Sequence, residues 1–349
     1  MFNKISPQEV ADFVKSLAVM LKSGITIDEA LGLLADQSKS KRLKNTVNRV
    51  KKDVEMGTSL SNAFAKEEKS FGKIFLVFLR AGEASGTLEQ NLVFLADWLE
   101  RNNDLRRDVK TATLYPKIVL SATVLLGGGL AVFILPRLTL LFSQLDVELP
   151  IFTRILIGFS VFLQHYWFLV ILIVIAIAAF FIFINKIKSV QRFFHWVYIK
   201  TPFMGELMAE YQLALLSQLF AVLIKSGLSI SECLEIASEA PTNVIYRDSV
   251  AKSRQRILKG TSFSKALQDF PKLYPVNMIS IITTGEKSGT LEESFSYLAE
   301  FYSKEVNVKT KRLPTIIEPI LLIFIGVILG FVAVSIIMPI YDITKGFGR

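Results

Sequence analysis

The chain repeats itself at a fixed spacing of 203 residues. Lys22-Ser23-Gly24 returns as Lys225-Ser226-Gly227, and Gly57-Thr58-Ser59 returns as Gly260-Thr261-Ser262. The octet Gly82-Glu83-Ala84-Ser85-Gly86-Thr87-Leu88-Glu89 returns as Gly285-Glu286-Lys287-Ser288-Gly289-Thr290-Leu291-Glu292. The same offset carries Pro116 onto Pro319 and Pro136 onto Pro339, with no insertion or deletion. Self-similarity at one fixed period means two copies of one folding unit. Each copy here is a polar domain that runs into an apolar segment.

Those apolar segments set the solvent. Hydrophobic residues are 51% of the 349, and the mean hydropathy is +0.44. Residues 118–135 and 167–184 are each 18 positions without a charge, and residues 319–338 are 20 more. At about 1.5 Å per residue each can cross a bilayer core of about 30 Å. Three such blocks read as three membrane spans. The N-terminus shows no long apolar region behind a basic start, so the sequence predicts no cleavable signal peptide. The single Cys233 excludes an intramolecular disulfide and reads as a small buried hydrophobe.

Charge placement gives a topology. Residues 1–112 hold 18 basic and 15 acidic side chains, and residues 186–313 hold 17 and 12. The 137–166 segment has only Arg137 and Arg154 as cations, and the tail only Lys345 and Arg349. By the positive-inside tendency both repeats are cytoplasmic. The expected order is a first bundle at 1–112, a span at 113–136, an external segment at 137–166 and a second span at 167–185. A second bundle at 186–313, a third span at 314–340 and an external tail at 341–349 follow. The N-terminus is then inside and the C-terminus outside. The mild, mixed charge of the bundles suits anionic lipid beside the membrane and not nucleic acid.

Within a repeat the punctuation is helical. Ser6-Pro7-Gln8-Glu9 offers a capping box with proline in the first turn, and Gly24 ends the amphipathic helix that follows. Thr26 to Glu29 offers a second box, answered by Ser229 to Glu232. A basic helix over about 41–56 stops at Gly57, a short one begins near Thr58, and a fifth covers about 71–81. Thr87 and Thr290 cap the sixth. The fold class is all-α: two homologous six-helix bundles plus three transmembrane helices. Residues 150–163 read either as an external interfacial helix or as an extension of the second span.

The octet carries the main candidates. Gly82 and Gly285 read as the positive-φ end of a helix, Gly86 and Gly289 as a tight turn, and Thr87 and Thr290 as caps. Turn grammar does not demand Glu83 or Glu286, so these carboxylates are candidates for contact with a partner's basic residue or a cation. Pro116 and Pro319 read as first-turn prolines opening the first and third spans. Glu318, with only Tyr115 at its counterpart, is a third partner-contact candidate. Gly127-Gly128-Gly129 would allow a helix to approach closely, within the chain or between chains. Catalytic grammar is missing: there is no P-loop, nucleophile elbow or zinc motif, and His165 and His195 have no second ligand at helical spacing. No enzyme activity, cofactor or metal is expected.

On Leu21-Lys22-Ser23-Gly24 with Ile224-Lys225-Ser226-Gly227, and on the octet and its twin, the chain resembles the type II secretion F domain family over about 12–140 and 215–343. The resemblance implies a non-enzymatic platform in the bacterial inner membrane, serving type II secretion, a type IV pilus or a competence pseudopilus. The implied partners are a cytoplasmic hexameric assembly ATPase, pilin or pseudopilin, other inner-membrane assembly proteins, membrane lipid and further copies of the chain. Conformational work delivered to the bundles would then reach the membrane through continuous helices at 88–135 and 291–338. A transporter or channel component is the alternative, but repeated transporters put the duplication within the membrane. A receptor-like signalling protein would have an external surface of only about 30 residues to work with.

Overall fold

The computed structural model describes residues 5–129, 151–184, 201 and 204–346, and among these there is no strand. Pro136, Arg137 and His195, with the 130–150 and 185–200 parts of the expected segments, lie outside the described residues. The helices are α1 (Pro7–Lys22), α2 (Ile27–Gln37), α3 (Lys41–Glu55), α4 (Leu60–Ala65), α5 (Glu68–Phe71), α6 (Lys73–Ser85), α7 (Leu88–Ala112), α8 (Leu114–Gly129) and α9 (Ile151–Ile184). After them come α10 (Met204–Lys225), α11 (Ile230–Ala237), α12 (Val244–Ile257), α13 (Phe263–Gln268), α14 (Val276–Ser288) and α15 (Leu291–Gly346). Two units result. The described parts of Met1–Asp108 and Arg192–Val308 form one, and those of Val109–Gln191 and Lys309–Arg349 the other.

The first unit contains both repeats, and their elements coincide at the 203-residue offset. Helices α4 and α13, and α6 and α14, match at both ends. The glycines that need a left-handed backbone match as well: Gly24 and Gly227 at φ 81° and 82°, Gly57 and Gly260 at 87° and 88°. Capping boxes form at Ser6–Glu9 and Ser229–Glu232, where the serine hydroxyl accepts from the glutamate N–H and the carboxylate accepts from the serine N–H. The Ser6 backbone N–H holds Glu9 below the usual carboxylate range, and the Ser229 hydroxyl followed by its N–H does so for Glu232. Lowered carboxylate pKa values mean that these caps are complete at neutral pH and weaken as pH falls through them. The box expected at Thr26 does not form: α2 starts there, but the threonine side chain makes no cap bond. Repeat one also carries the extra turn α5, whose counterpart at 271–274 is not helical.

The two cores use the same sites with different residues. In repeat one Phe13, Phe64, Phe71 and Phe75 interlock, with ring centroids 4.8–5.9 Å apart. Their counterparts are Leu216, Leu267, Tyr274 and Met278. In repeat two Phe220, Phe263 and Phe295 interlock at 4.9–5.5 Å, and their counterparts are Leu17, Leu60 and Leu92. Aromatic bulk has moved from one side of the bundle to the other, as interior packing at constant density requires.

Surface pairs have drifted in the same way. Lys66 Nζ lies 2.7 Å from Asp53 in repeat one. The counterpart pair is Asp269 with Arg256, the same bridge with its charges exchanged. Lys15 and Glu100, both exposed, pair at 2.8 Å, and their counterparts Gln218 and Ser303 pair at 2.9 Å by a neutral hydrogen bond. Gln218 is buried where Lys15 is exposed, and a buried site disfavours charge.

That burial reflects the largest difference between the repeats. Every residue of α10 from Tyr211 to Ala221 is buried, whereas α1 buries one face and exposes Gln8, Asp12, Lys15 and Val19. A helix apolar all round needs cover on every side. For α10 the extra cover is α7 of repeat one: Phe94 and Trp98 of α7 and Gln218, Ala221 and Val222 of α10 line one cleft.

In the second unit, helix surfaces are apolar and unburied. Val124, Leu125 and Leu126 of α8, Phe168 and Ile175 of α9, and Ile320, Ile323 and Val327 of α15 are all exposed, the pattern of helices solvated by lipid. Three continuous helical stretches among the described residues are long and apolar enough to cross a membrane: Leu88–Gly129, Met204–Lys225 and Leu291–Ser335. Of these, Met204–Lys225 is the buried α10, which its own bundle already covers. Helix α9, with 34 residues, presents the lipid-facing surface of the expected second span. Two helical stretches meet in it at a kink, where Tyr166 has the non-helical backbone angles φ −117° and ψ 20°, so residues 151–163 lie in the stretch before the kink. Thr153 Oγ1 donates to the Ser335 carbonyl at 2.7 Å, a buried bond from α9 to α15.

Two expectations about the membrane segments need correction. Pro116 does sit in the first turn of α8, but Pro319 does not open a helix: α15 runs through it without interruption for 56 residues. Repeat one has a turn residue at the equivalent place, Thr113, between α7 and α8, although its N–H still reaches the Val109 carbonyl at 3.3 Å. Each interior proline removes one i→i−4 bond, and α15 accommodates Pro314, Pro319 and Pro339. Gly127, Gly128 and Gly129 have open space about them among the described residues.

The exchanged bridge predicts a coupling. Asp53→Arg alone places two cations together and should cost about 0.5–1 kcal/mol. Adding Lys66→Asp, which recreates the repeat-two arrangement, should recover most of that loss in thermal unfolding of the detergent-solubilised chain. Losses that simply add would refute the equivalence.

Candidate functional site

The octet forms the hairpin between α6 and α7, and its twin the hairpin between α14 and α15. In each, a glycine takes the left-handed turn: Gly86 at φ 71° and Gly289 at φ 76°. The N–H groups of Gly86 and Thr87 both reach the Gly82 carbonyl, and those of Gly289 and Thr290 reach Gly285. Ser85 Oγ bonds the Ala81 carbonyl at 2.7 Å and lies 2.6 Å from Thr87 Oγ1. Ser288 repeats this with Thr284 and Thr290 at 2.8 Å and 2.6 Å. Thr87 and Thr290 each stand immediately before the next helix, as expected of caps, and their carbonyls accept from Asn91 and Ser294.

Gly82 and Gly285 have a different role from the one expected. Neither has a positive φ; both lie inside their helices and are buried. A Cβ on Gly82 would stand 2.7 Å from Leu88 Cα, and one on Gly285 would stand 2.9 Å from the Thr290 carbonyl oxygen and collide with Ser294. These glycines let the following helix start against the preceding one. Helix α6 therefore runs four residues beyond the expected end at Ala81 and stops at Gly86.

The two glutamates, identical in sequence context, differ in structure. Glu286 accepts from the backbone N–H groups of Phe263 and Ser264, and from Ser264 Oγ at 2.6 Å. It therefore caps α13, whose own N-cap Ser262 makes no side-chain bond. In repeat one the N-cap Ser59 does that work, accepting from Asn62 N at 3.4 Å. Glu83 is half-buried and makes no hydrogen bond or ion pair among the described residues. Within the chain, the Glu286 carboxylate is thus engaged at the start of α13, a role that turn grammar did not point to. The long-range bond from α14 to α13 has no local sequence signal; only the missing Ser262 cap points to it.

Glu318 is exposed on α15 in the second unit, between exposed Ile316 and Ile320, and makes no ion pair among the described residues. Its counterpart Tyr115 is likewise exposed, at the start of α8. Cys233 is fully buried, and burial pushes its thiol up to about 12, which removes it as a nucleophile. His165 is exposed beside Tyr166, with ring centroids 6.4 Å apart.

These roles separate by substitution. Glu286→Ala should lower stability by about 1–2 kcal/mol, the range of a lost cap, while Glu83→Ala should be close to neutral. Gly82→Ala should cost about 1–3 kcal/mol through overpacking. Gly86→Asn should be tolerated because asparagine accepts a left-handed backbone, whereas Gly82→Asn should not. Thermal unfolding of the purified chain measures all five, and equal effects for Glu83 and Glu286 would refute the cap assignment.

Comparison with known proteins agrees with the duplicated architecture. The family described as "Type II secretion system (T2SS), protein F" matches twice, at residues 13–136 and 216–339. The type IV pilus assembly protein PilC of Thermus thermophilus is 30% identical, over 96% of this chain and 82% of its own length. That of Pseudomonas aeruginosa is 26% identical, over 99% and 92%. The type II secretion system protein F of Aeromonas hydrophila is 29% identical, over 97% and 87%. With both repeats matched and its relatives covered almost end to end, the chain belongs to the type II secretion system protein F family.

Proposed function

We propose that this chain is a non-enzymatic platform in the bacterial inner membrane for a type IV pilus or type II secretion machine. In this reading it links a cytoplasmic assembly ATPase to pilin or pseudopilin subunits. The observation that carries the reading is the arrangement of the helices. Two bundles form one unit with a mixed, basic surface, and helices that belong to those bundles go on as lipid-facing segments. The relatives named for pilus assembly and for secretion support the same role. Both bundles face the cytoplasm, the N-terminus is inside and the C-terminus outside, following the basic clusters at Arg106, Arg107 and Lys110 and at Lys309, Lys311 and Arg312. The polar surface of the bundles meets the ATPase, with Glu83 as a free carboxylate for a basic partner residue. The exposed apolar faces of α8, α9 and α15 meet lipid and apolar pilin helices, and Glu318 is the one carboxylate placed among those apolar residues of α15.

In this reading α15, helical through residue 316 where repeat one has the turn residue Thr113, carries movement from its bundle to its lipid-facing segment. Cross-linking in native membranes followed by partner identification tests the platform reading directly. Capture of an assembly ATPase and a pilin-like subunit is expected, and capture of neither rejects it. A narrower test weakens α15 at the place of Thr113. Thr315→Gly with Ile316→Gly should weaken the helix by about 1 kcal/mol per glycine. Membrane insertion and ATPase co-purification should persist while filament assembly or secretion is lost, and normal assembly would refute transmission through α15. Glu83→Lys should reduce ATPase co-purification, and unchanged recovery would remove Glu83 from that interface.

A further inference from the structure

Two copies of one domain carry two copies of every surface, and the internal contact uses only one of each. Repeat one contributes α5, α6 and α7. Phe94 of α7 lies under Lys225 Nζ, 5.0 Å from the ring centroid, Trp98 is only 6% exposed, and Lys73 pairs with Glu239 at 2.7 Å. Repeat two contributes α10, α11 and one side of α15. Ala221, Val222, Lys225, Ser296 and Ala299 line the cleft with Phe94 and Trp98, Asn307 donates to Asp108 at 3.0 Å, and Ile236 lines the cleft with Lys73. The side of α15 that carries Tyr297 and Phe301 takes no part. The contact is heterologous, with unlike faces meeting. It therefore leaves the α1–α2 face of repeat one and the α14–α15 face of repeat two without their counterparts.

Those two unused faces hold most of the exposed large apolar residues of the unit. The counterparts of Lys73, Phe94 and Trp98 are Val276, Tyr297 and Phe301, exposed by 79%, 57% and 37%. Tyr297 and Phe301 stack on each other with planes 17° apart, presenting a flat aromatic surface. The counterparts of Val222 and Ile236 are Val19 and Leu33, also exposed. Among the described residues of this unit, Met56 and Leu258 are the other exposed large apolar side chains. Terminal faces of repeat arrays are ordinarily polar, because nothing stacks on them. These are not.

We propose that a second copy of this chain docks its α1–α2 face onto the α14–α15 face of the first, repeating between chains the contact that joins the two repeats within one. The pairing follows residue by residue from the internal contact. Lys22, counterpart of Lys225, lies over Tyr297, counterpart of Phe94, as a cation on an aromatic face. Val19 meets Phe301 as Val222 meets Trp98. Asp36, counterpart of Glu239, faces Val276 in the place of Lys73 and keeps its own pair with Lys44, while Leu33 stands beside Val276 as Ile236 stands beside Lys73. The charges agree: Glu300 stands at the position of Asp97 beside the incoming lysine. A heterologous contact of this kind closes into a ring or continues as a chain of copies. The proposal gives a face and a partner to the self-association included in the platform reading, and it is tested apart from that reading.

The test uses full-length chains in membranes, differently tagged and co-expressed. One carries Val19→Cys and the other Phe301→Cys, with a bismaleimide as the cross-linker. The native Cys233 is buried and unreactive, so it remains in place. A mixed cross-link between the two tags is expected, with little or none between two Val19→Cys chains or two Phe301→Cys chains. Absence of the mixed product overturns the proposal, as do like-with-like products of equal yield, which would indicate a face-to-face two-fold contact. In detergent, Lys22→Glu and, separately, Tyr297→Ala with Phe301→Ala should each weaken self-association about tenfold, the loss of one desolvated cation–π contact. Both act on one contact from opposite sides, so an effect of only one of them also overturns it. If chains without these cross-links still support filament assembly, the proposal falls and the platform reading stands.

Discussion

Lys225 resting over the ring of Phe94, with Trp98 buried beside it, joins the two repeats through unlike faces, and much of the rest follows from that asymmetry. Because α7 covers the back of α10, α10 can be apolar around its whole circumference, while α1 must stay amphipathic. The same cover explains why the exposed Lys15–Glu100 ion pair has the neutral Gln218–Ser303 bond as its counterpart. A charged pair there would lose its hydration without a geometry good enough to compensate. One contact therefore sets the polarity of a whole helix and the chemistry of a pair on its surface.

Elsewhere the repeats diverged without changing the geometry. The exchanged bridge at Asp53–Lys66 and Arg256–Asp269 keeps the attraction and reverses its sign. The phenylalanine clusters keep the core filled while shifting its bulk. The caps of α4 and α13 keep the helix start satisfied with different acceptors, the Ser59 hydroxyl in one case and the Glu286 carboxylate in the other. In each case the physical requirement is preserved and the residue that meets it is not. A strict residue-by-residue transfer of roles between the two halves consequently fails at Glu83 and Glu286, where the residue is preserved and the role is not.

What could be read from the sequence follows the range of the interaction concerned. The helix order, the left-handed glycines at 24, 57 and 86, and the serine capping boxes are local, and the 203-residue echo marks each of them twice. The distinct roles of Gly82 and Gly86 were not legible. Turn grammar says that a glycine is needed near a helix end, but only the approach of Leu88 decides which one bends the chain and which one makes room. Glu286 bonds a helix start 23 residues away, beyond any local pattern. Composition likewise could not separate α10 from a membrane span, since burial in protein and burial in lipid select the same apolar residues. Only the neighbouring α7 distinguishes them.

The two halves differ where Thr113, a turn residue, has the helical Ile316 as its counterpart. A helix of 56 residues extends about 84 Å, far more than the roughly 30 Å of a bilayer core, so α15 is one element shared by a bundle and a lipid-facing segment. Bending it requires breaking backbone hydrogen bonds that have no alternative partner in lipid. In repeat one the turn residue Thr113 still holds the preceding turn, its N–H reaching the Val109 carbonyl at 3.3 Å and its hydroxyl the Lys110 carbonyl at 2.9 Å. Pro314, whose counterpart is Thr111, removes one more backbone bond from α15 than Pro116 alone removes from repeat one, so the two halves differ at this place in which bonds are missing and not in whether a helix passes through.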